Sequence, residues 1–158
     1  MPRVLILYAT TEGHTAHIAE RIAQRLRDKG HTGETHRADT IPAAVDPAAY
    51  DGIIVGAPIH YGHHPGYLRA LVRRHRAALT ARPSAFFSVN IVARKPGKDC
   101  PAGNPYLQKF LRLSAWQPKA LAVFASDALS SSAYATEEIL RVLILGGALE
   151  LAYTLPVA

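Results

Sequence analysis

The chain has 158 residues, of which 49% are hydrophobic, and its formal net charge is +6 at pH 7. This length favours a single α/β domain, residues 1–158, with a substantial core. The single cysteine, Cys100, excludes an intramolecular disulfide and is typical of a cytoplasmic protein. No nucleic-acid motif accompanies the positive charge, so nucleic acid is not an expected partner.

The first predicted element is a buried strand, Arg3–Ala9, which leads through a polar loop, Thr10–Thr15, into an amphipathic helix. Backbone N–H groups at such a junction converge on an anion, and the helix dipole favours negative charge there. The loop has neither the dinucleotide nor the Walker A spacing, so it predicts a site for a monophosphate. The alternative is an ordinary turn in which Thr10 or Thr11 caps the helix.

Helical and strand patterns alternate along the rest of the chain. Apolar residues at helical spacing predict a helix through Ile18–Leu26, ended by Gly30. Further strands are predicted at 32–38, 51–57, 84–91 and 120–125, with helices at 65–80 and 105–113. This alternation predicts a parallel sheet with helices on both faces.

Three loops follow strands of this predicted sheet: Thr10–Thr15, Pro58–His64 and Asn90–Lys95. In parallel α/β sheets, ligands bind beyond the carboxyl ends of the strands, where the strand order reverses. We therefore expect the three loops to meet at one edge, and this strengthens the phosphate prediction.

These loops resemble those of a known family. Thr10–Thr15 is similar to the FMN phosphate loop of flavodoxin-like proteins, and Ala57–His64 is similar to the loop that lies along the flavin ring. The resemblance extends over about residues 3–123 to the flavodoxin-like, quinone-dependent protoporphyrinogen oxidases of haem synthesis. The stretches that carry it are Arg82–Pro96, Lys109-Phe110-Leu111 and Trp116-Gln117-Pro118.

The resemblance implies a flavodoxin-like, doubly wound parallel sheet of five strands in the order 2-1-3-4-5, with helices on both faces. It also implies bound FMN, protoporphyrinogen IX as substrate and a membrane quinone as electron acceptor. The residues that it assigns to FMN are Thr10, Thr11, Glu12, Gly13, His14 and Thr15 at the phosphate, and Pro58, Ile59, His60, Tyr61, Gly62, Val89 and Asn90 around the ring. Tyr61 is the expected stacking partner of the ring. Arg94 and Lys95 are expected to meet the propionates of the substrate.

Because the flavin would carry the redox step, no side chain is assigned as an obligatory acid or base. The loop histidines, His60, His63 and His64, are either acid–base groups that titrate near neutral pH or ordinary polar loop residues. No cysteine or carboxylate lies at ligand spacing from them, so no metal site is expected.

The predicted helix at 65–80 is strongly basic, with arginines at Arg69, Arg73, Arg74 and Arg76. This pattern indicates either a solvated basic face or a peripheral contact with an anionic membrane surface. The second interpretation would suit an enzyme that meets a lipid-soluble quinone.

From about Phe124 the chain departs from that family. Residues 1–123 contain 17 Lys/Arg against 8 Asp/Glu, whereas residues 124–158 contain only Arg141 against four acidic residues. The stretch Phe124–Leu140 resembles the first membrane segment of amino-acid permeases. Arg141 and Glu150 make a single membrane span unfavourable, so we expect this segment to replace the last helix of the sheet.

Two other functions stay open at this point. The first is a flavodoxin-like electron carrier, which the basic charge disfavours because carriers of this fold are usually acidic. The second is an NAD(P)H–quinone reductase, in which a nicotinamide would reduce the flavin directly.

Overall fold

The computed structural model describes residues 3–10, 13–60, 62–90 and 102–125. Its strands are β1 (Arg3–Tyr8), β2 (Thr32–Arg37), β3 (Gly52–Pro58), β4 (Ser84–Asn90) and β5 (Ala120–Ala125). Its α-helices are α1 (His14–Asp28), α2 (Gly66–Arg74), α3 (Arg76–Ala81) and α4 (Pro105–Ser114), and Pro47–Ala49 forms a short 3-10 helix. Strands and helices therefore alternate along the described chain, as the sequence predicts.

The strands form one sheet in which every pairing is parallel. β1 lies between β2 and β3, β4 pairs with β3, and β5 pairs with β4. The strand order therefore reverses at β1, which is the switch point of a doubly wound sheet. The predicted parallel α/β sheet is confirmed.

Apolar side chains on alternate strand positions form a core layer on each face of the sheet. On one face, Ile6, Ile54 and Phe87 belong to the cluster that buries Ile18, Ala19, Ile22, Ala23 and Leu26 of α1. On the other face, Val55 and Phe86 belong to the cluster that buries Leu68 and Val72 of α2, Leu79 of α3 and Phe110 of α4. The helix α1 is thus separated by the sheet from α2, α3 and α4.

The segment predicted as one helix over 65–80 is in fact two helices. α2 ends at Arg74, His75 has φ −105° and ψ 18°, and α3 begins at Arg76. The sequence pattern could not show this break, because Leu68, Val72 and Leu79 keep helical spacing across it and no glycine or proline marks it.

Trp116, the single tryptophan of the chain, is fixed at the end of the sheet where the strands begin. Its indole Nε1 donates to the Ser84 hydroxyl at 3.3 Å, and that hydroxyl donates to the Leu79 carbonyl at 3.0 Å. The side chain is 2% exposed and lies against Phe86, with ring centroids 5.9 Å apart. Ser84 therefore joins the start of β4 to the last turn of α3 and to the segment that follows α4.

None of the helices in the described ranges is both long and apolar enough to cross a membrane. The permease-like stretch beyond Ala125, and the helix that we expect it to replace, lie outside the described residues.

Candidate functional site

The loop after β1 is held in a tight turn by its own threonine. The backbone N–H of Ala9 donates to the carbonyl of Gly56 at 2.9 Å, which fixes the end of β1 against β3. The Thr10 hydroxyl oxygen then accepts the N–H of Gly13 at 2.9 Å. Gly13 has φ 90°, in the left-handed region where residues with a Cβ are strained. This explains why a glycine stands immediately before α1.

The N-terminus of α1 is arranged to receive an anion. Gly13 is the residue that precedes the helix, and no described side chain caps the first turn, which contains no acidic residue. Thr10 therefore closes the loop and does not cap the helix. The alternative interpretation, in which Thr10 caps the helix, is wrong for this residue. The hydroxyl of Thr15 is buried, with the residue 1% exposed, and has no hydrogen-bond partner among the described residues. A buried hydroxyl without a partner is costly, and a phosphate oxygen would satisfy it.

The loop after β3 is fixed to β4 through its backbone. The N–H of Ile59 donates to the carbonyl of Val89 at 2.9 Å, which extends the parallel pairing one residue beyond Pro58. His60 and His63 then exchange backbone hydrogen bonds of 3.0 and 3.3 Å around Gly62, whose φ is 79°. The two loops and the end of β4 therefore lie at the same edge of the sheet.

The three loop histidines occupy different environments. His60 and His63 are exposed, and Nδ1 of His63 lies 2.8 Å from the carbonyl of His64. His64 is 6% exposed, and its Nε2 lies 2.8 Å from the hydroxyl of Ser88 on β4. The described residues contain no group of three or more His, Cys, Asp or Glu positioned to hold a metal ion.

The electrostatic state of His64 follows from its packing. Its ring packs against those of Phe86 and Phe110, with centroid distances of 5.4 and 5.0 Å, and those two rings also contact each other. Burial, with a smaller contribution from neighbouring His63, lowers the pKa of His64 from 6.5 to about 3. At neutral pH the imidazole is therefore uncharged and unable to serve as a readily available proton donor.

Some of the residues predicted to bind the cofactor or the substrate lie within the described ranges, and the others lie outside them. The structure places Thr10, Gly13, His14 and Thr15 at the first loop, and Pro58, Ile59, His60 and Gly62 at the second, with Val89 and Asn90 at the end of β4. The predicted residues Thr11, Glu12, Tyr61, Arg94 and Lys95 lie outside the described residues.

A cavity of about 270 Å³ lies between the loop after β3 and the helix α4. Its walls are formed by Gly62, His63, His64, Gly66, Arg69, Tyr106, Lys109, Phe110 and Leu113. Sequence reasoning missed this cavity, because residues some 40 positions apart form it. The sequence had drawn attention to residues on its walls separately: the loop that ends at His64, the basic helix with Arg69, and the Lys109-Phe110-Leu111 stretch.

Comparison with known proteins shows which family the sequence belongs to. The sequence profile described as the flavodoxin domain matches residues 5–140. The chain belongs to the flavodoxin-domain family. The match to the flavodoxin domain continues to residue 140, whereas the departure expected from about Phe124 concerns the protoporphyrinogen oxidases alone. The structure is also similar to the two-electron reduced flavodoxin of Megasphaera elsdenii, with a TM-score of 0.68 at 14% identity over 89% of this chain and 98% of that one.

Two curated relatives are similar in sequence to this chain over most of its length. The protoporphyrinogen IX dehydrogenase [quinone] of Leishmania major is 40% identical over 128 residues, which cover 78% of this chain and 54% of that protein. The protein of the same name from Escherichia coli is 39% identical over 125 residues, which cover 78% of this chain and 67% of that protein. The family resemblance predicted from the sequence is therefore confirmed, although the chain spans only about half to two thirds of these relatives.

Proposed function

We propose that this chain binds FMN and oxidises protoporphyrinogen IX to protoporphyrin IX, with a membrane quinone as the electron acceptor. The observation that carries the proposal is the 39–40% identity, over 78% of the chain, to two dehydrogenases of this name. The local geometry supports the cofactor independently, because the uncapped N-terminus of α1 and the unpartnered Thr15 hydroxyl fit a phosphate.

The phosphate would lie in the loop after β1. Its oxygens would accept from the first-turn N–H groups of α1 and from the Thr15 hydroxyl, and Thr11, Glu12, Gly13 and His14 are proposed to complete the phosphate loop. Thr10 holds the turn closed through its bond to the Gly13 N–H. The absence of an acidic residue from the first turn of α1 favours this assignment, because a carboxylate there would compete with the phosphate.

The flavin ring would lie against the loop after β3 and the end of β4. Pro58, Ile59, His60, Tyr61 and Gly62 would form one side of its frame, with Tyr61 stacked on the ring. Val89 and Asn90 would form the other side. The Ile59–Val89 backbone bond makes this frame rigid before any cofactor enters, which lowers the entropy lost on binding.

In the reaction, FMN supplies the acceptor for the electrons that leave the porphyrinogen. The protein positions the two molecules and holds the frame. His64 stays neutral in the core, so it would add no positive charge to the loop after β3 and would donate no proton near neutral pH. Arg94 and Lys95 are proposed to bind propionates of the substrate.

The quinone implies an encounter at a membrane surface. Arg73, Arg74 and Arg76 are all exposed at the junction of α2 and α3, and we propose that they contact anionic lipid headgroups. Sedimentation with anionic vesicles, compared with neutral ones, tests this contact. Binding that survives the triple change R73Q/R74Q/R76Q would contradict it.

One experiment separates the proposed function from its alternatives. The FMN-loaded protein is mixed anaerobically with protoporphyrinogen IX, and the flavin absorbance is followed. Bleaching by the porphyrinogen, then recovery on addition of a quinone, is the expected result. Bleaching by NADPH alone would favour an NAD(P)H–quinone reductase, and no bleaching by either donor would favour an electron carrier.

A further inference from the structure

We propose that the cavity between the loop after β3 and α4 binds a carboxylate-bearing edge of the tetrapyrrole, with Arg69 and Lys109 as the partners of the carboxylate. This inference rests on the proposed function, because it names the place where the substrate of that reaction is held. It adds residues that neither the sequence nor the named relatives assign.

The charge of the cavity favours an anion. Arg69 reaches it from α2 and Lys109 from α4, so two cations enter from two different helices. Neither forms an ion pair with a carboxylate among the described residues, and no described residue that lines the cavity is acidic. A ligand carboxylate would therefore be the natural counterion for this pair.

The remaining walls favour a flat, apolar ring. Phe110 is 4% exposed and closes the inner side, while Leu113 is 39% exposed at the outer side. Tyr106 adds a second aromatic surface from α4. Aromatic rings and cations arranged in this way suit a single flat pyrrole ring that carries an anionic group.

The size of the cavity limits how much of a ligand it can hold. At about 270 Å³ it lies just below the range of roughly 300–1,000 Å³ that is usual for whole-ligand sites. It has room for one pyrrole with its propionate, whereas a complete tetrapyrrole would extend out of it.

The position of the cavity fits this partial occupancy. Gly62, His63 and His64 form one of its walls, and they belong to the loop that we propose as the frame of the flavin. A tetrapyrrole held by one edge in the cavity would therefore extend across that loop, toward the site proposed for the flavin. An oxidised quinone headgroup carries no formal charge and would leave both cations without a partner.

The test is equilibrium binding of protoporphyrin IX, the stable product, to the FMN-loaded protein in the absence of lipid. The double variant R69Q/K109Q is compared with the control R112Q/K119Q, which removes the same charge from two exposed residues that do not line the cavity. We expect roughly tenfold to hundredfold weaker binding by R69Q/K109Q and little change in the control. The dimethyl ester of protoporphyrin IX should bind the wild type and R69Q/K109Q alike.

Several results would overturn the inference. The first is that R69Q/K109Q binds protoporphyrin IX as the wild type does, and the second is that the control R112Q/K119Q loses as much affinity as R69Q/K109Q. The third is that R69Q/K109Q loses as much affinity for the dimethyl ester as for the free acid. If R69Q/K109Q instead had a higher KM for a soluble quinone and bound porphyrin as the wild type does, the cavity would be assigned to the electron acceptor.

Failure of the proposed function gives a different pattern. If porphyrinogen fails to bleach the flavin while porphyrin binding still depends on Arg69 and Lys109, the reaction is wrong and the cavity assignment stands. If the flavin bleaches and the double variant binds porphyrin as the wild type does, the reaction stands and the cavity assignment falls.

Discussion

Nε2 of His64 lies 2.8 Å from the hydroxyl oxygen of Ser88, and this buried contact joins the loop after β3 to β4. The contact sits two residues before Asn90, the last residue of β4. Together with the Ile59–Val89 backbone bond, it holds the two segments that we propose as the frame of the flavin at a fixed separation. Burial keeps this imidazole neutral near pH 7, and the cost of charging it in the core gives the first prediction.

We predict that acid destabilises the protein through His64. Its pKa is about 3 in the folded chain and 6.5 as a free side chain, so the unfolded state binds the proton more readily. The stability that depends on neutral His64 is complete above pH 6.5 and is lost as the pH falls toward 3. Urea unfolding at pH 7 and pH 5 should show a loss of about 2 kcal/mol in the free energy of unfolding.

Two variants identify the group responsible for this acid dependence. His64→Phe preserves the aromatic packing against Phe86 and Phe110 but removes the titrating group, so its stability should depend less on pH. His63→Gln, at the exposed neighbour, should keep the wild-type dependence. Equal dependence in H64F and the wild type would show that another group is responsible.

The packing of Gly56 against Phe87 predicts a strong response to one added methyl group. A Cβ at Gly56 would lie 2.0 Å from Cζ of the Phe87 ring, which is fully buried in the core cluster on the α1 face of the sheet. We expect Gly56→Ala to lower the free energy of unfolding by about 3 kcal/mol, and the second change Phe87→Leu to restore part of this loss.

Gly66→Ala is the matched control for this prediction. A Cβ at Gly66 would meet nothing within 4 Å, so its stability should stay close to that of the wild type. A G56A protein as stable as G66A in chemical denaturation would contradict the proposed clash.

Gly13 is predicted to matter to the cofactor beyond its effect on folding. Gly13 and Gly30 have similar φ angles of 90° and 85°, and a Cβ at either would meet nothing within 4 Å. Each change to alanine should therefore cost about 1 kcal/mol of stability through backbone strain alone. Only Gly13→Ala should also weaken FMN binding, measured by fluorescence titration, because Gly30 lies at the opposite end of α1. Equal FMN affinities in the two variants would place the phosphate elsewhere.

Thr15 predicts opposite effects on folding and on binding. Its buried hydroxyl has no partner among the described residues, so Thr15→Val should leave the cofactor-free protein as stable as the wild type, or slightly more stable. The same change should weaken FMN binding by roughly tenfold, because the phosphate would lose a donor. Thr15→Ser, which keeps the hydroxyl, should retain most of the affinity. A T15V protein that binds FMN normally would remove Thr15 from the site.

The alternation of apolar runs predicts the sheet because each short run can be buried only between helices. The loop after β1 is equally visible in sequence, since Gly13 and the threonines around it are local signals. The burial of His64 is not visible, because it depends on Phe110, which lies 46 positions along the chain and meets it only in the folded state. Arg69 and Lys109 likewise come to one cavity only through the packing of α2 beside α4.

The Ser84–Trp116 contact fixes an intrinsic fluorophore at a known place in the sheet. The indole lies at the start of β4, whereas the proposed flavin frame lies at its end, about 20 Å away at the usual rise per residue of a strand. Emission from the single tryptophan should therefore report the collapse of the core in the cofactor-free protein. Energy transfer from this indole to FMN would then measure whether the cofactor sits at the carboxyl edge, without any label being attached.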